Sequence, residues 1–133
     1  MSELSVRSID APDETIRMVD KGRVDVVKLG GTAVNRLTLD PGWTWRQHEQ
    51  PLFGTDICEL EHVGFCVAGR VKIVMTDGDE QEIAPGAAFY IPPGHDAWVV
   101  GDEPFVAYLF GPLVPEEKQV APTRTERAEA TIH

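Results

Sequence analysis

The stretch Pro85-Gly86-Ala87-Ala88-Phe89-Tyr90-Ile91-Pro92-Pro93-Gly94-His95 decides how this chain reads. Pro85-Gly86 and Pro93-Gly94 are turn signals, because proline presets φ and glycine supplies the positive φ that tight turns need. Between them lies a short β-prone run, Ala88–Ile91. A histidine stands immediately after the second turn, at the start of the next run. Short strands with tight turns at both ends belong to an all-β domain.

The same rhythm continues in both directions. Strands are expected at Arg23–Leu29, Ala33–Leu39, Trp43–His48, Ile57–Val67, Val71–Thr76, Glu80–Ile83, Ala88–Ile91, His95–Val100 and Phe105–Phe110. Asp77-Gly78 predicts a hairpin between Val71–Thr76 and Glu80–Ile83. Nowhere in 23–110 does an apolar repeat of helical period appear. So many short strands need a sandwich or a barrel to hide their edges. Residues 1–22 read as an N-terminal arm with a helical turn begun at Asp10–Glu14. Residues 23–113 read as the barrel, and 114–133 as a polar tail that frays or packs loosely against a neighbour.

The totals narrow the class. At 133 residues the chain is one domain long and can bury a core without crosslinks. Twelve Lys and Arg against 22 Asp and Glu leave a net charge of -10, which repels phosphate backbones and anionic lipid. Nucleic acid and membrane are therefore not expected as partners. The segment MSELSVRSIDAPDE has no apolar core of a secretory signal, and no apolar run reaches the length of a membrane span. Two cysteines in such a chain are expected as reduced thiols in a cytoplasmic protein.

Residues 85–95 resemble the second motif of the cupins, a glycine followed after five residues by P-x-G and a histidine. The first cupin motif, H-x-H, three or four residues, E, six residues, G, is matched at its closing glycine by Gly69. Six intervening residues back stands His62. The chain looks most like small single-domain bacterial cupins with Cys-x3-His in the first motif and PPGHDAW in the second. The resemblance covers Val34 to Phe110. It implies a single cupin barrel (double-stranded β-helix, or jelly roll) with a divalent metal in its mouth, and so Zn, Fe, Ni or Cu as cofactor. It implies a small organic molecule as ligand or substrate, and a homodimer.

The departures from the motifs set the candidate ligands. His62 stands where the family has its glutamate, Cys58 and Asp56 stand where H-x-H falls, and Ala97 occupies the usual histidine position, with His95 two residues earlier. An alignment anchored on Pro41-Gly42 instead makes His48 the first histidine. The candidate metal ligands are thus His48, Cys58, His62 and His95, with no catalytic residue assigned beyond Tyr108 or Asp56 as a proton handler.

Strand parity tests these candidates. On one strand Asp56, Cys58, Leu60, His62, Gly64 and Cys66 share a face, and small Gly64 and Cys66 suit a cavity. The opposite face carries Glu59 and Glu61, which belong in water, and Val63, Phe65 and Val67, which can pack. Cys58 and His62 lie roughly 13 Å apart on an extended strand, too far for one ion unless the strand is irregular. On a regular Trp43–His48 strand, either two tryptophans fill the barrel and His48 faces water, or His48 faces in beside Arg46. Burial of two large rings favours the first, and a dimer contact is the alternative place for them. Imidazoles with an optional thiolate suit Zn, Ni, Cu or Fe(II) rather than Mn. Two functions follow: a metal-dependent oxygenase, isomerase or lyase, or a non-catalytic ligand-binding or sensing cupin with a degenerate site. An accessory subunit of another enzyme is a third.

Overall fold

The computed structural model describes residues 4–18, 20–48 and 61–111. These form β1 (Glu14–Met18), β2 (Gly22–Leu29), β3 (Thr32–Leu39), α1 (Trp45–His48), β4 (His62–Ala68), β5 (Arg70–Met75), β6 (Glu80–Ile83), β7 (Ala88–Ile91), β8 (His95–Val100) and β9 (Phe105–Phe110). One sheet runs β1-β2-β3-β9-β4-β7 and the other β6-β5-β8, with every pair antiparallel. Their inner faces share one core built from Val24, Val26, Leu39, Cys66, Phe105 and Ala107 on the large sheet and Val71, Ile73, Ile83, Ala97 and Val99 on the small one.

Turn chemistry sets the boundaries of the second half. Gly78 takes φ 95° in the Asp77-Gly78 turn, and the Met75 amide bonds the Asp79 carbonyl at 2.8 Å, closing the expected hairpin. Gly69 is the single residue between β4 and β5, where the chain leaves one sheet for the other. It adopts φ +73°, and a Cβ there would lie 2.6 Å from the Phe105 Cα and against the Pro104 carbonyl. Only glycine satisfies both demands.

Two segments differ from the sequence reading. The arm 1–22 contributes a strand rather than a helical turn: β1 pairs with β2 in the large sheet, and Ile16 joins the core. Hydrogen bonds anchor its start, from the Asp13 amide to the Val26 carbonyl at 2.7 Å and from the Lys28 amide to the Asp13 carboxylate at 2.7 Å. The expected strand Trp43–His48 is instead a bridge at Thr44, opposite Trp98, followed by the single turn α1. Thr44 is the cause: its Oγ1 accepts from the Gln47 amide at 3.1 Å, an N-cap that diverts the chain into a helix. Trp43 and Trp45 are nonetheless both buried in the core, as their area favours.

A web of ion pairs covers the outer side of β1–β3. Asp25 is buried beneath Arg36 (3.1 Å), Arg23 (3.4 Å) and the Thr15 hydroxyl, which donates to it at 2.8 Å. Burial alone would raise its pKa, but the Thr15 and Arg36 hydrogen bonds and the two arginine charges win, holding the carboxyl below its usual range. No described helix is long and apolar enough to cross a membrane. The expected tail, 114–133, lies outside the described residues.

Candidate metal site between the two sheets

Parity along β4 puts His62, Gly64 and Cys66 on its inner side and Val63, Phe65 and Val67 on its outer side. The inward placement of His62 agrees with the sequence reading. The outer trio differs from it, since these three side chains are exposed rather than packed. Glu61 is exposed as expected and accepts a hydrogen bond from the Tyr90 hydroxyl at 3.0 Å.

His95 opens β8 on the small sheet, so the two imidazoles approach each other from opposite sheets. Their ring centres lie 5.2 Å apart with planes inclined by 69°. His95 is only 4% exposed, and its Nδ1 lies 2.8 Å from the Pro92 carbonyl oxygen. A carbonyl can only accept, so Nδ1 carries the proton and Nε2 keeps its lone pair. This backbone anchor is the support that metal-binding imidazoles commonly have. The Pro92-Pro93-Gly94 turn therefore does two things at once: it starts β8, and it sets the tautomer of the first residue.

Both rings are held neutral. Removal from water, reinforced by the neighbouring His95, pushes His62 down to about 3. Burial also lowers His95, against the opposing pull of the Pro92 carbonyl and the Asp96 charge. Neutral imidazole is the form that binds a metal. Two imidazoles sharing a tetrahedral ion at about 2.1 Å per nitrogen have ring centres about 5 Å apart. The pair fits a divalent ion on spacing and protonation, and His95 on tautomer as well. Among the described residues, no group of three or more His, Cys, Asp or Glu converges to complete a shell.

The other candidates divide. Cys58 and Asp56 lie outside the described residues, as do Leu60 and the side chain of His48. The backbone of His48 ends α1, and α1 runs beside β8: the Val99 amide bonds the Trp43 carbonyl at 3.0 Å, Thr44 bridges Trp98, and Arg46 pairs with Asp96 at 2.9 Å. Each step along α1 moves toward the His95 end of β8. Cys66 is fully buried, and its thiol lies 3.4 Å from the Ala68 carbonyl; burial raises its pKa, as suits a core cysteine. Tyr108 does not face the cavity. It is opposite Arg36 and Phe65 on the outer side of the large sheet, because it is out of phase with the inward Ala107 and Leu109. Its expected role as a proton handler inside the barrel is corrected on that ground.

One buried polar residue escaped the sequence reading. Val26, Asn35, Leu109, Gly64 and Phe89 stand in register across the large sheet, one inner row below His62. Asn35 is fully buried, and its Nδ2 donates to the Leu109 carbonyl at 3.2 Å and the Gly111 carbonyl at 3.0 Å. Continuing the β4–β9 register by two residues sets Gly111 opposite His62. Asn35 thus ties down the end of β9 beside the histidine. Its Oδ1 has no partner among the described residues, a desolvation that costs about 1–3 kcal/mol. No sequence signal marked Asn35, since a lone asparagine in a β-prone run has no periodic signature.

No family model matches the sequence, and no curated protein is similar to it in sequence. Solved structures do match the fold. A sugar phosphate isomerase from a cupin superfamily, from Silicibacter pomeroyi DSS-3, is 16% identical, covers 80% of this chain and 74% of its own, and superposes with a TM-score of 0.58. The polyketide cyclase RemF from Streptomyces resistomycificus is 17% identical over 84% of this chain and 80% of its own, with a TM-score of 0.54. KdgF from Halomonas sp. is 18% identical over 74% and 86%, with a TM-score of 0.52. The fold is a single cupin β-barrel.

Proposed function

On this barrel, we propose that His62 and His95 hold one divalent metal ion between the two sheets and that the site acts on a small organic molecule. The observation that carries this reading is the facing pair of neutral imidazoles, 5.2 Å apart, with the lone pair of His95 directed by the Pro92 carbonyl. His48 is the proposed third ligand, supported by the course of α1 toward the start of β8, and Cys58 is the remaining candidate. Zn, Fe(II), Ni or Cu suits such a donor set, and the ion would supply a Lewis acid or an oxygen-binding centre. The chain's own part is to present neutral nitrogen donors and to line the space around them with Phe89, Ile91 and Leu109. The isomerase, the cyclase and KdgF among the similar folds support small-molecule chemistry as the kind of work this barrel does. The acidity of the chain, at -10, speaks against nucleic acid and anionic membrane as partners.

A second reading, a non-catalytic ligand-binding or sensing cupin, is favoured by the departures from the motifs, with Asp56, Cys58 and Ala97 where the family has histidines. Metal analysis of untagged protein separates the two. About one ion per chain, lost in a His62→Ala, His95→Ala double variant, is the result expected of the first. Sub-stoichiometric metal that is unchanged in the double variant overturns it.

A further inference from the structure

Two adjacent rows on the outer side of β1–β3 are built in opposite ways. In the first, Asp25 stands between Thr15 and Arg36, and the acid is satisfied from both sides. In the second, two residues nearer the β1–β2 turn, Arg17, Arg23 and Thr38 stand in register. Arg17 is directly opposite Arg23, and like charges so placed cost stability. Arg23 reaches Asp25 only through Nε, at 3.4 Å, and among the described residues Arg17 takes part in no ion pair.

The acids stand at the turn end of this row. The Asp40 amide bonds the Lys21 carbonyl at 2.8 Å, which continues the β2–β3 register by two residues from Arg23 and Thr38. Asp40 therefore shares the outer side with Thr38, roughly 7 Å further along. Its carboxylate makes no ion pair among the described residues. The neighbouring Lys21 does not supply one, because its side chain lies over Gly42. Arg17, Arg23, Thr38 and Asp40, with Gly22 and Asp20 of the β1–β2 turn, line one open cavity of about 110 Å³.

We infer that this cavity binds a small α-amino acid, its carboxylate on Arg17 and Arg23 and its ammonium group on Asp40. Three features choose that ligand. The cavity is cationic at the strand row and anionic at the turn, so it offers a partner to each end of a zwitterion. A chain of net charge -10 repels a free anion, and the paired guanidiniums repel a free cation, whereas a zwitterion meets neither penalty. The volume equals three to four waters at ~30 Å³ each, which is room for glycine or alanine and little more. The Thr38 hydroxyl supplies a further hydrogen bond to the carboxylate.

The site is remote from the histidines and independent of any metal. Arg23 is five residues along β2 from Lys28, whose register partner Ala33 bonds Gly111 in the row of His62. Roughly 17 Å along the strands separates the two sites, and they lie on opposite sides of the sheet.

Titration of the full chain with glycine, followed by ¹⁵N NMR in the presence of EDTA, tests this, since chelation keeps glycine from binding through a metal. Saturable shifts of the Arg17 and Arg23 Nε–H signals are expected. Arg17→Gln and Asp40→Asn should each weaken glycine binding about 10-fold or more, and a His62→Ala, His95→Ala double variant should leave it unchanged. Acetate and methylammonium, each carrying one end of glycine, should bind the wild type about 10-fold or more weakly, a comparison that requires no variant to fold. No saturable shift by about 50 mM glycine overturns the inference. So does acetate binding as tightly as glycine, which makes the cavity a plain anion site. Unchanged affinity in Arg17→Gln, or loss in the histidine variant alone, also overturns it and places glycine elsewhere.

Discussion

His62 and His95 come from different sheets, 33 positions apart in the chain, yet their rings meet edge to face with centres 5.2 Å apart. Ile91, the register partner of His62, is joined to His95 by the Pro92-Pro93-Gly94 turn, which carries the chain from one sheet to the other. Each histidine is the first residue of its strand, and this turn closes the distance.

The contribution of the pair to metal binding has a direct measure. Isothermal titration with Zn²⁺ is expected to show His95→Ala and His62→Ala each weakening binding by about 100-fold or more. Thermal melts of the metal-free forms separate this effect from unfolding. Equal zinc affinity across wild type and both variants would remove the histidines from the site.

Acid is expected to destabilise the metal-free protein earlier than carboxylates alone would. His62 titrates near 3 when folded against an ordinary 6.5, and His95 is lowered in the same direction. Between those values the unfolded chain binds more protons than the folded one, so stability rises with pH through the window and is lost as pH falls from about 6.5 toward 3. Asp25 adds to the loss only below its ordinary 3.8, because its pKa is lowered in the folded state. Urea titrations at pH 7.0, 5.5 and 4.5 measure the slope, and a His62→Gln variant, which takes up no proton there, should flatten it.

Gly69→Ala is expected to lose at least about 2 kcal/mol, from positive φ and from the collision of the new methyl with the Pro104 carbonyl and Phe105 Cα. Gly78→Ala shares the positive φ but meets nothing within 4 Å, so its loss should be nearer 1 kcal/mol. Denaturant midpoints of the two variants side by side isolate the steric part.

Asn35→Ala strands the Leu109 and Gly111 carbonyls and is expected to lose about 2–3 kcal/mol. Asn35→Asp should be worse at neutral pH, where a carboxylate faces two carbonyl oxygens, and should recover as acid protonates it. Melting temperatures across pH for Asn35→Asp check the second point, which a purely volumetric role would not produce.

Much of the fold was legible because its punctuation is chemical. From Arg70 to Phe110 each strand lies within a residue of its expected bounds, since Gly78, Gly86, Gly94 and Gly101 mark turns by their positive φ. The facing of His62 was legible too, because a period of two follows from strand geometry alone. What failed was local pattern against local hydrogen bonding. Trp43-Thr44-Trp45-Arg46 alternates like a strand, yet one hydroxyl cap turns it into α1. β1 was hidden because its pairing with β2, rather than its own polar composition, makes it a strand. Tyr108 was misplaced because it was chosen by residue type, not by the phase that Ala107 and Leu109 fix. The closeness of His62 and His95 follows from the pairing of His62 with Ile91, just before the turn to His95, and no spacing along the chain encodes that pairing.

The one-residue passage at Gly69 gives the molecule the mechanics of tweezers. β4 and β5 are its two blades, joined at that fulcrum, with His62 at one tip and Met75, the register partner of His95, at the other. The Pro92-Pro93-Gly94 turn spans the tips, joining Ile91, opposite His62, to His95. The gap between the histidines is therefore held from both ends, by the passage at Gly69 and by this turn.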